Sequence, residues 1–107
     1  MENTMKLVAA ALLAGASTLA FTATVQANAD GEAVYNQACM ACHMTGAAGA
    51  PIRGDADAWA PRVEKGIDTL YTHAIEGFNA MPPKGGQMGL SDEEVKAAVD
   101  FMVEPVM

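Results

Sequence analysis

CMACH, residues 39–43, holds both cysteines of the chain, three positions apart, with His43 directly behind the second. Such a stretch has three chemical readings: a redox dithiol, a fragment of a metal site, or the attachment point of a covalent haem. On a helix Cys39, Cys42 and His43 stand at i, i+3 and i+4, so both sulfurs and the imidazole face one side. A flat macrocycle against that side can be joined to both sulfurs by thioether bonds while an imidazole nitrogen reaches its central iron, which is why C-x-x-C-H reads as c-type haem attachment. A thioredoxin-like dithiol would accompany a βαβ pattern, and this sequence carries no strand pattern. A zinc site would need a fourth ligand, whereas His73 is the one other histidine and there is no second C-x-x-C.

The remaining sequence frames that motif. With 107 residues, 51% of them hydrophobic, the chain is sized for one small domain. Its first stretch, MENTMKLVAAALLAGASTLAFTATVQANA (residues 1–29), passes from a short polar segment with Lys6 through an Ala- and Leu-rich run to Ala27-Asn28-Ala29. That is the layout of a secretory signal peptide with an A-x-A cleavage site, and cleavage after Ala27 is the close competitor. The alternative, an uncleaved anchor over Leu7 to Val25, is disfavoured by the threonines, the serine and the weak hydrophobicity of that run. Removal of residues 1–29 leaves a domain over residues 30–107, exported to the periplasm and with no stable membrane insertion.

An apolar core in a domain of that size supplies only about 3–5 kcal/mol, so a further staple is expected. A Cys39–Cys42 bridge closes too short a loop to constrain the unfolded chain much. A covalently held apolar macrocycle would serve instead. Charge is less specific: without Glu2 and Lys6, five Lys and Arg face twelve Asp and Glu, and the formal net charge stays at -7. An acidic surface without a basic cluster excludes nucleic acid and anionic lipid as expected partners.

Periodicity predicts helices joined by loops. The first helix starts near Asp30 or Gly31 and runs into the cysteine motif, with Val34, Tyr35 and Ala38 on one face. The stretch MTGAAGAPIRGDAD (residues 44–57) reads as irregular. Asp57 is expected to cap a short helix from Trp59 to Lys65 that stops at Gly66. A third helix is expected from Asp68 to Glu76, with Leu70, Tyr71, Ala74 and Ile75 inward and Gly77 as terminator. FNAMPPKGGQMGL (residues 78–90) breaks helix with two adjacent prolines and its glycines. Ser91-Asp92-Glu93-Glu94 is a capping-box pattern opening a last helix whose Val95, Ala98, Val99 and Met102 share a stripe, with Pro105 as its end.

A second axial ligand decides whether a haem iron carries electrons or binds small molecules. Met40 and Met44 adjoin the anchoring helix, Met102 belongs to an apolar stripe and Met107 is terminal. Met81 is followed by Pro82 and Pro83, which stiffen the backbone and let a loop hold a sulfur in place. Met88, among glycines, is the weaker candidate, and His73 or an open position remain as alternatives.

Beyond the motif, Gly49-Ala50-Pro51, Trp59-Ala60-Pro61-Arg62, Asn79-Ala80-Met81-Pro82-Pro83-Lys84-Gly85-Gly86 and Leu90-Ser91-Asp92-Glu93-Glu94-Val95 occur in order along the domain. In these segments the chain resembles the class I monohaem cytochromes c, specifically the cytochrome c5 group. The resemblance implies an all-α, cytochrome c-type fold of about four helices wrapped around one covalently attached haem c. It further implies His43 as proximal and Met81 as distal iron ligand, with the Pro51 carbonyl accepting a hydrogen bond from the other nitrogen of His43. Gly31 and Tyr35 look like positions that pack against the last helix, with Phe101 answering them. Trp59 and Arg62 are similar to residues near the haem propionates.

The function implied is that of a soluble, monomeric, periplasmic one-electron shuttle of respiratory type, docking transiently on larger redox proteins as donor and acceptor; no catalytic role is expected. Lys84 and the neighbouring glycines are candidates for a docking rim. The alternative is a haem-based gas sensor or small catalytic haem protein with an open or displaceable distal site. The chain departs from many members of the group, which carry a second cysteine pair after the methionine loop. Here Gln87-Met88-Gly89 stands in that region, so a more mobile loop is expected, with Met88 as an occasional ligand. Because the domain is too small to close on itself, a Cys39→Ala/Cys42→Ala double variant made without haem is expected to be largely unfolded. Far-UV circular dichroism checks this, and a cooperative, native-like melt would contradict it.

Overall fold

The computed structural model describes residues 29–107, so the signal-peptide reading lies outside the described residues but for Ala29. Helices dominate, and among the described residues the one β-type pairing is the isolated bridge between Phe78 and Met81. The N-terminal helical run has three parts: α1 (Gly31–Val34), a π-helical segment (Tyr35–Cys39) and α2 (Met40–His43). It is followed by a 3₁₀ turn (Ala47–Gly49), α3 (Ala56–Val63), α4 (Ile67–Glu76), a second turn (Pro83–Gly86), α5 (Asp92–Val103) and a final 3₁₀ turn (Glu104–Val106). None of these helices is long and apolar enough to cross a membrane.

Each boundary has a local cause. Asp30 caps α1, its carboxylate accepting from the amides of Glu32 (3.1 Å) and Ala33 (3.2 Å). The expectation of an Asp57 cap is corrected: Asp55 holds the extended backbone of an N-cap and accepts from Ala58 N at 3.3 Å, so α3 begins at Ala56 and Asp57 lies in its first turn. That helix also ends earlier than Lys65, and the chain turns through Gly66, at φ 95°, into α4 one residue sooner than expected. Ser91 and Glu94 form the expected capping box: the Ser91 hydroxyl accepts from Glu94 N (3.1 Å) and the Glu94 carboxylate from Ser91 N (2.8 Å).

The core lies where α5 meets α1 and α4. Val95, Ala98, Val99, Met102 and Val103 of α5 are buried, against Val34 and Tyr35 from the first helical run and Leu70 and Ala74 from α4. Met102 is therefore core, as its place in the stripe suggests. Tyr71 and Ile75 pack against this core from its edge. The crossing of α1 over α5 is close because position 31 has no side chain: a Cβ there would run into the Ala97 carbonyl and lie 3.2 Å from Phe101 Cβ. One turn on, Tyr35 and Phe101 meet with ring centroids 5.3 Å apart at 56°, a tilted pair worth about 0.5–1.5 kcal/mol beyond the area it buries. Arg53 covers the outer face of Phe101, its guanidinium 3.8 Å from the ring centroid and its Nε donating to the Phe101 carbonyl at 3.1 Å.

At position 31 the obstacle is backbone and cannot swing aside. Gly31→Ala is expected to cost about 1–3 kcal/mol by overpacking, which lowers Tm by about 4–8 °C per kcal/mol in a domain of this size. A thermal melt of the holoprotein reads this directly, and an unchanged Tm would show that the crossing is slack.

Candidate haem site

The cysteine motif sits where the π segment gives way to α2. Cys39, at φ −115° and ψ −29°, ends the π segment as the N-cap residue of α2, and Cys42 and His43 follow within one turn. π segments inside helices widen the turn locally and cluster at functional sites. Cys39 is half-buried, Cys42 exposed and His43 buried. Gly46, in a left-handed conformation at φ 82°, then ends the helical run, with its amide donating to the Cys42 carbonyl at 2.8 Å.

His43 is held from two sides. Its Nδ1 lies 2.8 Å from the Pro51 carbonyl, and a carbonyl only accepts, so Nδ1 carries the proton and Nε2 keeps the lone pair. Its backbone carbonyl accepts from Arg53 N at 2.9 Å. Burial lowers the His43 pKa, the Pro51 contact opposes that shift, and Arg62 adds to the lowering. The ring is therefore the neutral, oriented imidazole that a metal ligand must be. Pro51 stands where the sequence reading put it.

Trp59 is buried and stacks beside His43, with ring centroids 6.1 Å apart at 21°. Its indole nitrogen donates to the Ile52 carbonyl at 3.0 Å. Since indole has one donor, what Trp59 offers the site is its face. Arg62, half-buried on α3, donates through Nη1 to the Ala58 carbonyl at 2.6 Å, one of five donors. The carbonyls of Pro51 and Ile52 thus receive an imidazole and an indole in succession. Arg53, which sequence reasoning missed, ties the next amide to His43 and its side chain to α5. Only its position two residues after Pro51 hinted at this, because its partners are far along the chain.

The methionine loop is equally fixed. Phe78 and Met81 exchange both backbone bonds, Phe78 N to Met81 O at 3.0 Å and Met81 N to Phe78 O at 2.9 Å. Asn79 takes a left-handed conformation (φ 53°) inside that tight turn. The Met81 side chain packs partly buried against the core, while Met88 is 65% exposed. His73 lies flat on Phe78, centroids 3.9 Å apart at 7°. Lys84 corrects one expectation: its side chain is only 16% exposed and is engaged with Asp92, so it is no free docking cation. The exposed part of the loop, Phe78 to Ala80, Pro82, Pro83 and Gly86 to Gly89, carries no charge.

The donor set separates the three readings of the motif. A redox dithiol needs a lowered thiol pKa, whereas burial pushes that of Cys39 up to about 11. Among the described residues no group of three or more His, Cys, Asp or Glu side chains is placed to hold a metal ion, so zinc has no cage. Two unbridged cysteines and a neutral imidazole with a free lone pair suit a covalently anchored haem.

Comparison with known proteins bears on the same point. Residues 26–102 match the family described as cytochrome C oxidase, cbb3-type, subunit III. The chain is similar to cytochrome c-555 of Chlorobaculum tepidum, 44% identical over 91% of this chain and 89% of that protein. It is also similar to cytochrome c5 of Azotobacter vinelandii, 45% identical over 67% of this chain and 89% of the relative. Among solved structures, a mono-haem ferrocytochrome c from Shewanella putrefaciens superposes with a TM-score of 0.61 at 48% identity, over 68% of this chain and 90% of that one. The cytochrome c chain match in an electron-transfer complex of nitrite reductase with cytochrome c has a TM-score of 0.69 at 39% identity, over 77% and 100%. The chain belongs to the cytochrome c family, as a monohaem class I member of the cytochrome c5 group that carries electrons on covalently bound haem c.

Proposed function

We propose that this chain is a soluble, periplasmic one-electron shuttle in which Cys39 and Cys42 anchor the haem, His43 and Met81 are the axial ligands, and docking on larger redox proteins is transient. The observation that carries the reading is the His43 geometry: an imidazole with its Nδ1 proton committed to Pro51 and its Nε2 lone pair free, one turn from two unbridged cysteines. Haem c, when bound, supplies the one-electron couple, and a histidine–methionine pair favours a relatively high potential. The protein's part is to hold both donor atoms still. The Pro51 contact raises the basicity of His43 and prevents rotation of its ring. The Phe78–Met81 pairing and the two prolines hold the backbone that carries the thioether.

With both axial positions given by the protein, a small molecule has no iron position to occupy, and no side chain is assigned a catalytic role. The uncharged rim of the methionine loop suits brief contact through a small interface. The structural similarity to the cytochrome of a nitrite reductase complex supports a reductase of that kind as one class of acceptor. The family description points to a second reading, permanent residence in one oxidase. Stable co-purification with a larger complex would favour it over a diffusing monomer.

Export by the leader gives a mature chain starting at Asp30, or at Asn28 for cleavage after Ala27. The intact mass of the protein isolated from the periplasm is expected to show one of these plus covalent haem, and a mass retaining residues 1–27 would contradict export with cleavage. For the ligands, Met81→Ala is expected to abolish the methionine–iron charge-transfer band of the oxidised protein while Met88→Ala retains it. The reduced wild-type protein is expected to bind carbon monoxide slowly or not at all. Survival of the band in the first variant, or rapid carbon monoxide binding by wild type, would favour the sensor reading.

A further inference from the structure

We propose that Lys84 is the positioning residue for the distal ligand, a polar clamp that fixes the glycine-rich methionine loop to the start of α5. The inference rests on the reading of Met81 as that ligand. Between Glu76 and Asp92 the chain runs through Gly77, Gly85, Gly86 and Gly89, residues that leave a loop free to move. The Phe78–Met81 pairing fixes the entry of this segment but not its return.

The return is fixed by Lys84. Its Nζ donates to the Leu90 carbonyl at 2.7 Å and lies 3.2 Å from Asp92 Oδ1. Leu90 is buried and Ser91 caps α5, so the ammonium grips the chain at a point that cannot easily shift. Gly85 N donates to the Pro82 carbonyl at 3.1 Å and Gln87 N to the Lys84 carbonyl at 3.0 Å, closing the turn around the lysine.

Two features show that the lysine side chain is what the position needs. Lys84 has φ 54°, a left-handed conformation that favours glycine, and glycine fills the next two positions. A lysine there carries backbone strain, which charge-assisted hydrogen bonds to a largely shielded ammonium offset. Gly85, at φ 62°, lies against the carbonyl of Ala38 in the π segment, where a Cβ would come within 2.5 Å of that oxygen. The clamped turn is therefore pressed onto the helical run that bears Cys39. Pro82 and Pro83, with φ fixed by their rings, stand between Lys84 and Met81 and carry the constraint to the sulfur.

The test uses full-length holoprotein and free imidazole as a competitor for the distal position. Lys84→Met keeps the aliphatic stem and removes the donor; Asp92→Asn removes the charge but leaves the Leu90 bond. Asp30→Ala serves as a control, removing the N-cap of α1 away from the clamp. Lys84→Met is expected to bind imidazole at least about tenfold more tightly than wild type, with Asp92→Asn between them and Asp30→Ala within about twofold of wild type despite a lower Tm. A Lys84→Met affinity within about twofold of wild type overturns the clamp. So does an equal gain in Asp30→Ala, which would make the effect one of general stability. The charge-transfer band of Met81→Ala is recorded in parallel: its persistence overturns the ligand assignment and the clamp with it, whereas its loss with unchanged imidazole affinity in Lys84→Met overturns the clamp alone.

Discussion

The hydrogen bond from His43 Nδ1 to the Pro51 carbonyl is the contact on which the site depends. It decides the tautomer, and therefore which ring nitrogen keeps its lone pair free for the proposed iron ligation. It also folds the segment after the cysteine motif back onto the helix that bears it. Once that carbonyl is placed, its neighbour at Ile52 meets the Trp59 indole, the amide of Arg53 meets the His43 carbonyl, and the Arg53 side chain reaches α5. One local contact thereby joins the anchor, the following loop, α3 and the C-terminal helix.

The two proposed axial donors lie on unrelated pieces of chain, and each sits beside backbone groups already committed to a partner; for Met81 the proposed Lys84 clamp adds a side-chain hold. Backbone bonds of this kind would cost no rearrangement if the charge on a bound haem iron changed, since the groups they hold are fixed beforehand. For a protein whose task is to gain and lose one electron repeatedly, rigid ligands keep the two states alike. The tight α1–α5 crossing serves this purpose indirectly by fixing the helical run on which the cysteines ride.

Much of this was legible in the residues because its causes are local. The C-x-x-C-H spacing, the Ser91–Glu94 capping box and the Val95 to Met102 stripe are short-range patterns, and the structure repeats them. The Met81 loop was readable from its prolines. Less visible was whatever depends on distant partners or on small shifts in backbone register. The π segment at Tyr35–Cys39 breaks no propensity rule, so the periodicity read as one ordinary helix. The sequence reading placed the cap of α3 at Asp57, and the fold of the preceding loop gives that place to Asp55 instead. Lys84 looked like a surface cation because nothing in its neighbours announces that its ammonium turns back to Leu90 and Asp92. Arg53 was passed over for the same reason, with a partner 48 positions away.

The proton on the His43 ring is the most direct gauge of the account, and long-range proton–nitrogen NMR of the reduced, nitrogen-15-labelled holoprotein observes it. A slowly exchanging proton is expected on Nδ1 and none on Nε2. A proton found on Nε2 would contradict the Pro51 contact as the feature that orients the ring.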